Sequence, residues 1–358
     1  MSVLQTDSDE LISKLACERY LGDMIRCIPP ARPSTIQHRR VPSSIGLLDT
    51  LPTELLFLTL ELLDFQSLSR ISRVSVRGKA VVEALPAYRD MMEYAPTTLT
   101  ALGKTRLLRY HSASLLLQTL RTAKCVSCFD FGGFLFLPTC ERICFECLYA
   151  NHAFRMTTIA IAKRCFGLTE SHLQRIPITY SIPGTYGMKL NLSRRRVCRL
   201  VSIKQVKQLG IEIHGSAEAL GKFMPTGQSG KMTFREFRII KQFHDAPLEP
   251  PGCDMSRLQE KSNLVEDDFG GMASMRFPYL TRSGPDMGYL CRGCQITHKH
   301  QRRGLLPPNV LPDLVPPGVN PSRPFSAMKS RLRSRDGFLE HIRHCYGASQ
   351  LLNQRRGK

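Results

Sequence analysis

The stretch KCVSCFDFGGFLFLPTCERICFECLYANHA, residues 124–153, contains two Cys-x-x-Cys pairs separated by fifteen residues. In each pair the two intervening residues form a tight turn that aims both thiolates at one point, and two such turns complete the tetrahedral shell that zinc prefers. We therefore predict a zinc ion held by Cys125, Cys128, Cys144 and Cys147, with Cys140 as an alternative ligand. Four protein ligands leave no position for water, which is typical of a structural site.

The residues between the two pairs predict a small ribbon. Gly132-Gly133 is a two-residue hairpin signal flanked by aromatic and β-favouring residues, and the segment after Cys144 predicts a helix through Tyr149. A redox pair and chance core cysteines are the alternatives, and four cysteines at ribbon spacing favour the metal site. A RING-type fold needs eight interleaved ligands, whereas this stretch offers six candidates.

A weaker second site is predicted near the end of the sequence. Cys291 and Cys294 form a third Cys-x-x-Cys pair, and GFLEHIRHC follows at residues 337–345. His341 and Cys345 are four residues apart, so on a helix they share one face. They would complete a shell of three thiolates and one imidazole for a second structural zinc. The alternative imidazole ligands are His344, His298 and His300.

The N-terminal sequence, the cysteine content and the charge predict the compartment of the protein and its classes of partner. The N-terminus has acids where a signal peptide needs positive charge and lacks an apolar core, so we expect a cytoplasmic or nuclear protein with reduced thiols. Thirteen cysteines then indicate metal ligands before disulfides. No run of about 18 apolar residues is present, so no membrane-spanning helix is expected. The net charge of +20 is compatible with a solvated basic surface, and also with binding to nucleic acid, anionic lipid or an acidic partner.

The overall pattern predicts an α+β protein that is mostly α. Its predicted parts are a disordered tail (1–44), a three-helix segment (45–95), a helical domain (96–246) with the ribbon at 124–150, a loop or linker (247–285), the second knuckle with a terminal helix (286–348) and a basic tail (349–358). A Pro-rich and basic flexible insert is expected at 303–335.

The segment GLLDTLPTELLFLTLELLDFQSLSRISRVSVRGKAVVEALPAYR, residues 46–89, is rich in leucine. Its first helix is apolar around most of its circumference and must be covered on more than one side. Ser67 is the expected N-cap of the second helix. About forty-five residues cannot bury this surface alone, so either the rest of the chain or another protein covers it.

This segment resembles an F-box, from Leu51-Pro52-Thr53-Glu54-Leu55-Leu56 through Val74-Ser75. Such a three-helix element docks on the Skp-type adaptor of cullin-based ubiquitin ligases, and the rest of the chain presents a substrate for degradation. By this resemblance, nine positions face the adaptor or hold the helices together: Leu51, Pro52, Leu55, Leu56, Leu60, Leu63, Leu68, Ile71 and Val74. Thr59 and Gly78 depart from the family pattern, which usually has Ile at the first and often an aromatic residue at the second.

The order of the segments resembles a group of filamentous-fungal F-box proteins. It comprises the F-box-like segment, the cysteine-rich ribbon, AKRCFGLT (162–169), IPGTY (182–186) and the late cysteine pair with HxxxC. The resemblance implies a non-catalytic, zinc-binding protein–protein interaction module that recruits substrates. No HExxH, GxSxG or Rossmann glycine pattern is present, so no enzymatic activity is expected.

A zinc-ribbon regulatory protein that binds nucleic acid is the alternative. Its support is the basic residues Arg194, Arg195, Arg196, Arg199, Lys204 and Lys207, with further clusters near the C-terminus. The basic residues next to the ribbon knuckles are sparse, namely Lys124, Arg142 and Arg155. A DNA-reading finger usually concentrates such residues there, so the F-box interpretation is favoured.

Overall fold

The structure is a computed structural model that describes residues 2–17, 25, 28–32, 43–187, 191–224, 233–249, 269, 271–315 and 317–356. The described chain is mostly helical with small antiparallel sheets, which confirms the predicted α+β, mostly α class. None of the helices in these ranges has the length and apolar character needed to cross a bilayer.

The helices follow one another in short segments. They are α1 (Ser2–Leu15), α2 (Thr53–Glu61), α3 (Phe65–Val74), α4 (Val76–Ala84), α5 (Pro86–Tyr94), α6 (Pro96–Lys104), α7 (Ala113–Leu120), α8 (Phe145–Ala150), α9 (Ile159–Phe166), α10 (Glu170–Leu173), α11 (Ile203–His214), α12 (Ala217–Leu220), α13 (Phe234–His244), α14 (Arg292–Arg302), α15 (Leu311–Leu314), α16 (Ser322–Ser330), α17 (Arg335–His344) and α18 (Tyr346–Arg356).

The strands are short and pair antiparallel. They are β1 (Ala16–Cys17), β2 (Phe134–Phe136), β3 (Glu141–Ile143), β4 (Met156–Thr158), β5 (Thr179–Tyr180), β6 (Gly184–Gly187), β7 (Asn191–Arg194), β8 (Arg199–Ser202), β9 (Ser274–Arg276), β10 (Tyr279–Thr281), β11 (Gly284–Asp286) and β12 (Leu290–Cys291). Two sheets have three strands, in the orders β3-β2-β9 and β4-β8-β5. The other pairs are β1-β12, β6-β7 and β10-β11.

The main hydrophobic core joins the leucine-rich helices to the ribbon. Leu56, Leu60 and Leu68 are buried in the same cluster as Leu116 and Phe134. The segments predicted separately at 45–95 and 96–246 therefore share one core. The second helix of the first segment begins earlier than expected, because Asp64 and not Ser67 caps α3 by accepting from two backbone N–H groups.

The ribbon hairpin turns at a different place from the prediction. Strands β2 and β3 are joined through residues 137–140, so Gly132 and Gly133 precede the hairpin. A Cβ at Gly132 would lie 2.5 Å from Cγ of Arg142, and one at Gly133 would lie 2.2 Å from Cδ1 of Leu332. The two glycines therefore permit close packing of the Arg142 and Leu332 side chains and do not form the hairpin turn.

Arg142 ties the ribbon to distant parts of the chain. Its buried guanidinium donates to carbonyl oxygens of Thr119 and Gly132, and, across more than a hundred residues, to those of Phe277 and Pro278. Burial lowers the pKa of Arg142 to about 9. These hydrogen bonds hold residues 277–278 against the ribbon.

A second, smaller core lies around the late cysteine pair. It contains Ile12 and Leu15 of α1 together with Phe338 and Ile342 of α17. The expectation of a disordered tail over 1–44 is therefore wrong for residues 2–17. The side chains of Ile12 and Leu15 are buried, which offsets the entropy lost on ordering this part of the helix.

Three other segments expected to be irregular also contain ordered elements. In 247–285, β9 adds a third strand to the ribbon sheet by pairing Phe134 with Arg276, although residues 250–268 and 270 lie outside the described part. In 303–335, α16 buries Phe325 completely. In 349–358, α18 continues to Arg356. In each case a non-local contact orders a segment whose local composition predicts a loop.

Candidate metal centres

Four cysteines of the ribbon converge on one point. The sulfur atoms of Cys125, Cys128, Cys144 and Cys147 lie within 4.8 Å of one another, and all four residues are buried. The Cys128 and Cys144 sulfurs are 3.6 Å apart. Four Zn–S bonds of ~2.3 Å in a tetrahedron separate the sulfurs by roughly 3.8 Å, so the arrangement fits a metal of this size.

The local backbone supports thiolates at this centre. The Ser127 N–H points to the Cys125 sulfur and the Cys147 N–H to the Cys144 sulfur, both at 3.4 Å. Hydrogen bonding with Cys128 and the other thiols lowers the pKa of Cys125, whereas hydrogen bonding with Cys125 raises the pKa of Cys144 and Cys147. Without a cation the cluster cannot hold four negative charges, and a bound metal ion would remove this conflict.

The alternative ligand Cys140 is not part of the centre. It sits at the hairpin turn with φ +55° and contacts Thr119, whose hydroxyl lies 3.8 Å from the Cys140 sulfur. Burial raises the pKa of Cys140 to about 12. Cys140 is therefore a neutral buried thiol that belongs to the core.

The second group forms across the 46 residues between Cys294 and His341. Cys291, Cys294, His341 and Cys345 place their ligand atoms within 4.8 Å of one another. Nε2 of His341 lies 3.1 Å from the Cys294 sulfur, and the sulfurs of Cys291 and Cys345 are 3.8 Å apart. Because α17 presents His341 and its C-cap residue Cys345 on one face, the i, i+4 spacing brings two potential ligands to the group.

The alternative imidazoles of this region lie elsewhere. His344 is exposed and faces Glu340 at 3.6 Å, and His300 contacts the ring of Tyr346. His298 is not a member of the group either. His341 is thus the histidine brought to the three thiols.

Two glycines allow the second centre to close. A Cβ at Gly293 would lie 2.3 Å from the backbone N of Ala348, and one at Gly347 would lie 2.0 Å from the Gly293 carbonyl oxygen. Helix α14, which carries Cys294, therefore crosses the start of α18 in backbone contact. Any larger residue at either position would push Cys345 away from Cys294.

The two centres are separate, each with its own four ligands. The first uses the consecutive pairs of the ribbon, and the second uses a knuckle and a distant helix. This order is not the interleaved one of a RING-type fold. Both groups can hold a metal ion, and their thiolate-rich composition is compatible with structural zinc.

The nine positions that the F-box resemblance assigns to adaptor contact or helix packing divide into buried, half-buried and exposed residues. Leu56, Leu60 and Leu68 are buried, and Leu51, Leu63 and Ile71 are half-buried. Leu55, Val74 and Pro52 are exposed. The segment therefore contributes to the core of the chain and also leaves apolar side chains in solvent.

The sequence reasoning missed part of this exposed surface. Leu55 and Leu58 of α2 and its C-cap residue Leu62 are 51%, 61% and 72% exposed, and their spacing of three and four places them on one helix face. Leu47 and Val76 are exposed as well, on segments joined by an ion pair between Arg77 and Asp49. We call Leu55, Leu58 and Leu62 the α2 stripe. The i, i+3, i+7 leucine pattern is the sequence signal that could have found it.

Gly78 stands where the F-box pattern often has an aromatic residue, and the structure shows why glycine is favoured here. A Cβ at this buried glycine would lie 2.5 Å from the carbonyl oxygen of Ile71 in the preceding helix. An aromatic residue cannot occupy this position while α3 and α4 pack as they do. Thr59, the other departure, is exposed between members of the α2 stripe, and its hydroxyl donates to the Leu55 carbonyl oxygen.

Several basic residues considered for nucleic-acid binding are engaged within the protein. Arg142 and Arg155 are buried, and Lys204 forms an ion pair with Glu141. Lys207 donates to the carbonyl oxygens of His244 and Ala246, the latter at 2.6 Å, and Arg199 pairs with Glu170. These side chains are therefore committed to contacts within the protein, whereas Lys124, beside the ribbon, is exposed.

Comparisons with models of known families, with curated proteins and with solved structures found no match.

Proposed function

We propose that this chain is a substrate-recruiting subunit of a cullin-based ubiquitin ligase and docks on a Skp-type adaptor through its leucine-rich helices. The observation that carries the proposal is the α2 stripe. Three leucines on one helix face in solvent are an unusual use of apolar surface in a folded chain, and such patches mark protein–protein contacts. The resemblance of residues 51–75 to an F-box gives the class of partner.

The rest of the chain supports a presenting role without chemistry of its own. Both metal groups have four protein ligands, which leaves no position for a reacting water. We propose that both ions are zinc and that they are structural. The ribbon centre then fixes the region beside the shared core, and the second centre fixes the two ends of the chain against each other.

Docking can be tested by capture on a purified Skp-type adaptor. Leu55→Glu combined with Leu58→Glu places charge on the exposed stripe and should abolish capture while zinc content and melting temperature stay unchanged. Leu56 is unsuitable for this purpose, because it is buried and its replacement would damage the core.

The matched control is Leu305→Glu, an exposed leucine outside the leucine-rich segment. It carries the same change of charge and should not affect capture. Failure of the wild type to bind, or equal capture of the double variant, would contradict the proposal.

A further inference from the structure

A cavity of about 560 Å³ lies between the start of α3, the end of α6 and the chain leading into β5. Its volume falls in the range typical of small-ligand sites. It is distinct from both metal groups and from the α2 stripe. Two arginines, Arg106 and Arg109, line it, and its described lining contains no aspartate or glutamate.

Each of the two arginines is held against a tyrosine ring. The guanidinium carbon of Arg106 lies 4.1 Å from the ring centre of Tyr180, and that of Arg109 lies 4.9 Å from the ring centre of Tyr110. Nη2 of Arg109 also donates to the Tyr110 hydroxyl at 2.8 Å. Within the described ranges neither guanidinium forms an ion pair with a carboxylate, so both charges remain to be matched. Arginines positioned in this way suit bidentate binding of an oxyanion.

The backbone at Arg106 indicates that the arginine serves more than local packing. It has φ +62°, in the left-handed region. Its N–H bonds to the Gly103 carbonyl oxygen, and the Leu107 N–H bonds to that of Leu102, which is the helix-ending motif that favours glycine at this position. An arginine is strained here, and strain of this kind concentrates at binding sites.

Apart from the arginines, the cavity is lined by the amide side chains of Gln66 and Gln174, by Gly103, and by apolar and aromatic side chains. Leu108, Ile176 and Ile178 are half-buried there, next to the rings of Tyr110 and Tyr180. A ligand that uses both parts of this lining has an anionic group for the arginines and a flat ring for the apolar and aromatic side chains, with the two amides available for its polar atoms. Two unmatched guanidinium groups are balanced by a phosphate monoester, which carries close to two negative charges at neutral pH, and not by a single carboxylate.

We propose that this cavity binds a phosphate monoester joined to an aromatic group. Arg106 and Arg109 hold the phosphate, while Tyr180, Ile176 and Ile178 contact the ring. A phosphotyrosine side chain and a nucleoside monophosphate both have this chemistry. Binding of a phosphotyrosine peptide and of a nucleotide distinguishes the two ligands.

The test is isothermal titration calorimetry of the full chain with two phosphorylated probes. One probe is the peptide Gly-Gly-phosphotyrosine-Gly-Gly and the other is adenosine monophosphate, with the unphosphorylated peptide and adenosine as their neutral counterparts. We expect saturable binding of at least one phosphorylated probe and binding of its neutral counterpart that is at least about tenfold weaker. The tighter probe identifies the source.

Variants separate binding from folding. Arg109→Gln should weaken binding at least about tenfold. Arg106→Gly should do the same while the melting temperature stays equal or rises, because glycine fits the backbone at this position. Arg238→Gln is the control, since Arg238 also stacks on an aromatic ring, that of Phe234, outside the cavity. Absence of saturable binding up to about 1 mM of either probe, or unchanged binding by Arg106→Gly, would overturn the proposal.

Discussion

Ala16 lies directly opposite Cys291 in an antiparallel strand pair, so the beginning of the chain packs against the first cysteine of the second candidate metal group. The same junction has a hydrogen bond of 3.2 Å from Arg292 to the Lys14 carbonyl oxygen and an ion pair of 2.7 Å between Arg335 and Asp9. Leu15 is 1% exposed in the core that surrounds this group. The second centre therefore depends on residues that precede its first ligand by more than two hundred positions.

Deletion of residues 2–17 should weaken metal retention at the second group and leave the ribbon centre intact. The deletion uncovers Cys291 and removes the Leu15 side chain, whose loss alone costs about 2–5 kcal/mol in a packed core. The measurement is metal content per chain after exposure to a chelator, which should fall from two ions toward one. Ser13→Ala is the control because Ser13, on the same helix, is exposed. Equal retention by the truncated chain would contradict the dependence.

Single cysteine substitutions should separate ligands from the core thiol. Cys125→Ser and Cys294→Ser should each remove one metal ion per chain, whereas Cys140→Ser should remove none. The Cys125 change should also unfold the ribbon region, since a structural zinc supplies ~10–16 kcal/mol of apparent folding free energy in small modules. Atomic emission analysis of the purified variants gives the stoichiometry, and loss of metal in Cys140→Ser would make Cys140 a ligand after all.

The thiol of Cys140 should also be chemically inert in the native protein. Burial raises its pKa to about 12, so the thiolate that reacts with alkylating reagents is scarce at pH 8. Mass spectrometry after iodoacetamide treatment should find Cys140 unmodified in the folded chain and modified in urea. Rapid native modification of Cys140 would show that the hairpin opens.

Each half of the two candidate metal groups could be predicted from the sequence because its geometry is local, whereas the meeting of the two halves of the second group is a long-range contact. Each Cys-x-x-Cys pair is a single turn, and His341 with Cys345 needs only one helix. The sheet partner of β2 could not be predicted, because the pairing of Phe134 with Arg276 depends on a contact between residues far apart in the chain. The formation of helices α1 and α16 could not be predicted for the same reason, since each is stabilised by burial of apolar side chains against distant elements.

Gly78 and Gly103 should respond in opposite ways to the addition of one methyl group. Alanine at Gly78 would place Cβ 2.5 Å from the Ile71 carbonyl oxygen, so α3 and α4 must separate, at a cost of about 1–3 kcal/mol. Alanine at Gly103 meets nothing within 4 Å in a helix and should stabilise by about 0.5–1 kcal/mol. Urea denaturation of both variants measures the difference. A neutral Gly78→Ala would show that the two helices can part freely.

Thr59→Ile should increase adaptor affinity under the proposed function. Thr59 is exposed among the leucines of the α2 stripe, and isoleucine adds apolar area where the resembling family usually has it. Burying about one or two extra methylene groups would tighten binding by about 1 kcal/mol. Competition binding against the wild type measures the change, with Thr53→Ile outside the α2 stripe as control. Weaker binding by Thr59→Ile would mean that the stripe does not face the adaptor.

His152 should make the protein less stable in mild acid. The ring is buried and its Nε2 has no hydrogen-bond partner among the described residues. Burial, with a smaller contribution from Arg155, lowers its pKa to about 3. The unfolded chain binds this proton near pH 6.5, so the contribution of His152 is fully present above that pH and is lost as the pH falls toward 3. Between pH 7.5 and 5.5 the loss is about 1.4 kcal/mol.

The His152 contribution can be isolated by substitution. In His152→Gln the side chain does not titrate, so the decrease in unfolding free energy between pH 7.5 and 5.5 should be smaller than in the wild type by about 1.4 kcal/mol. The comparison is made by urea denaturation at both pH values, and metal content is measured at each to exclude acid release from the thiolate centres. His111, whose pKa burial also lowers, is unchanged in the variant, so its contribution cancels. An identical pH dependence in both proteins would show that His152 is reached by solvent in the folded state.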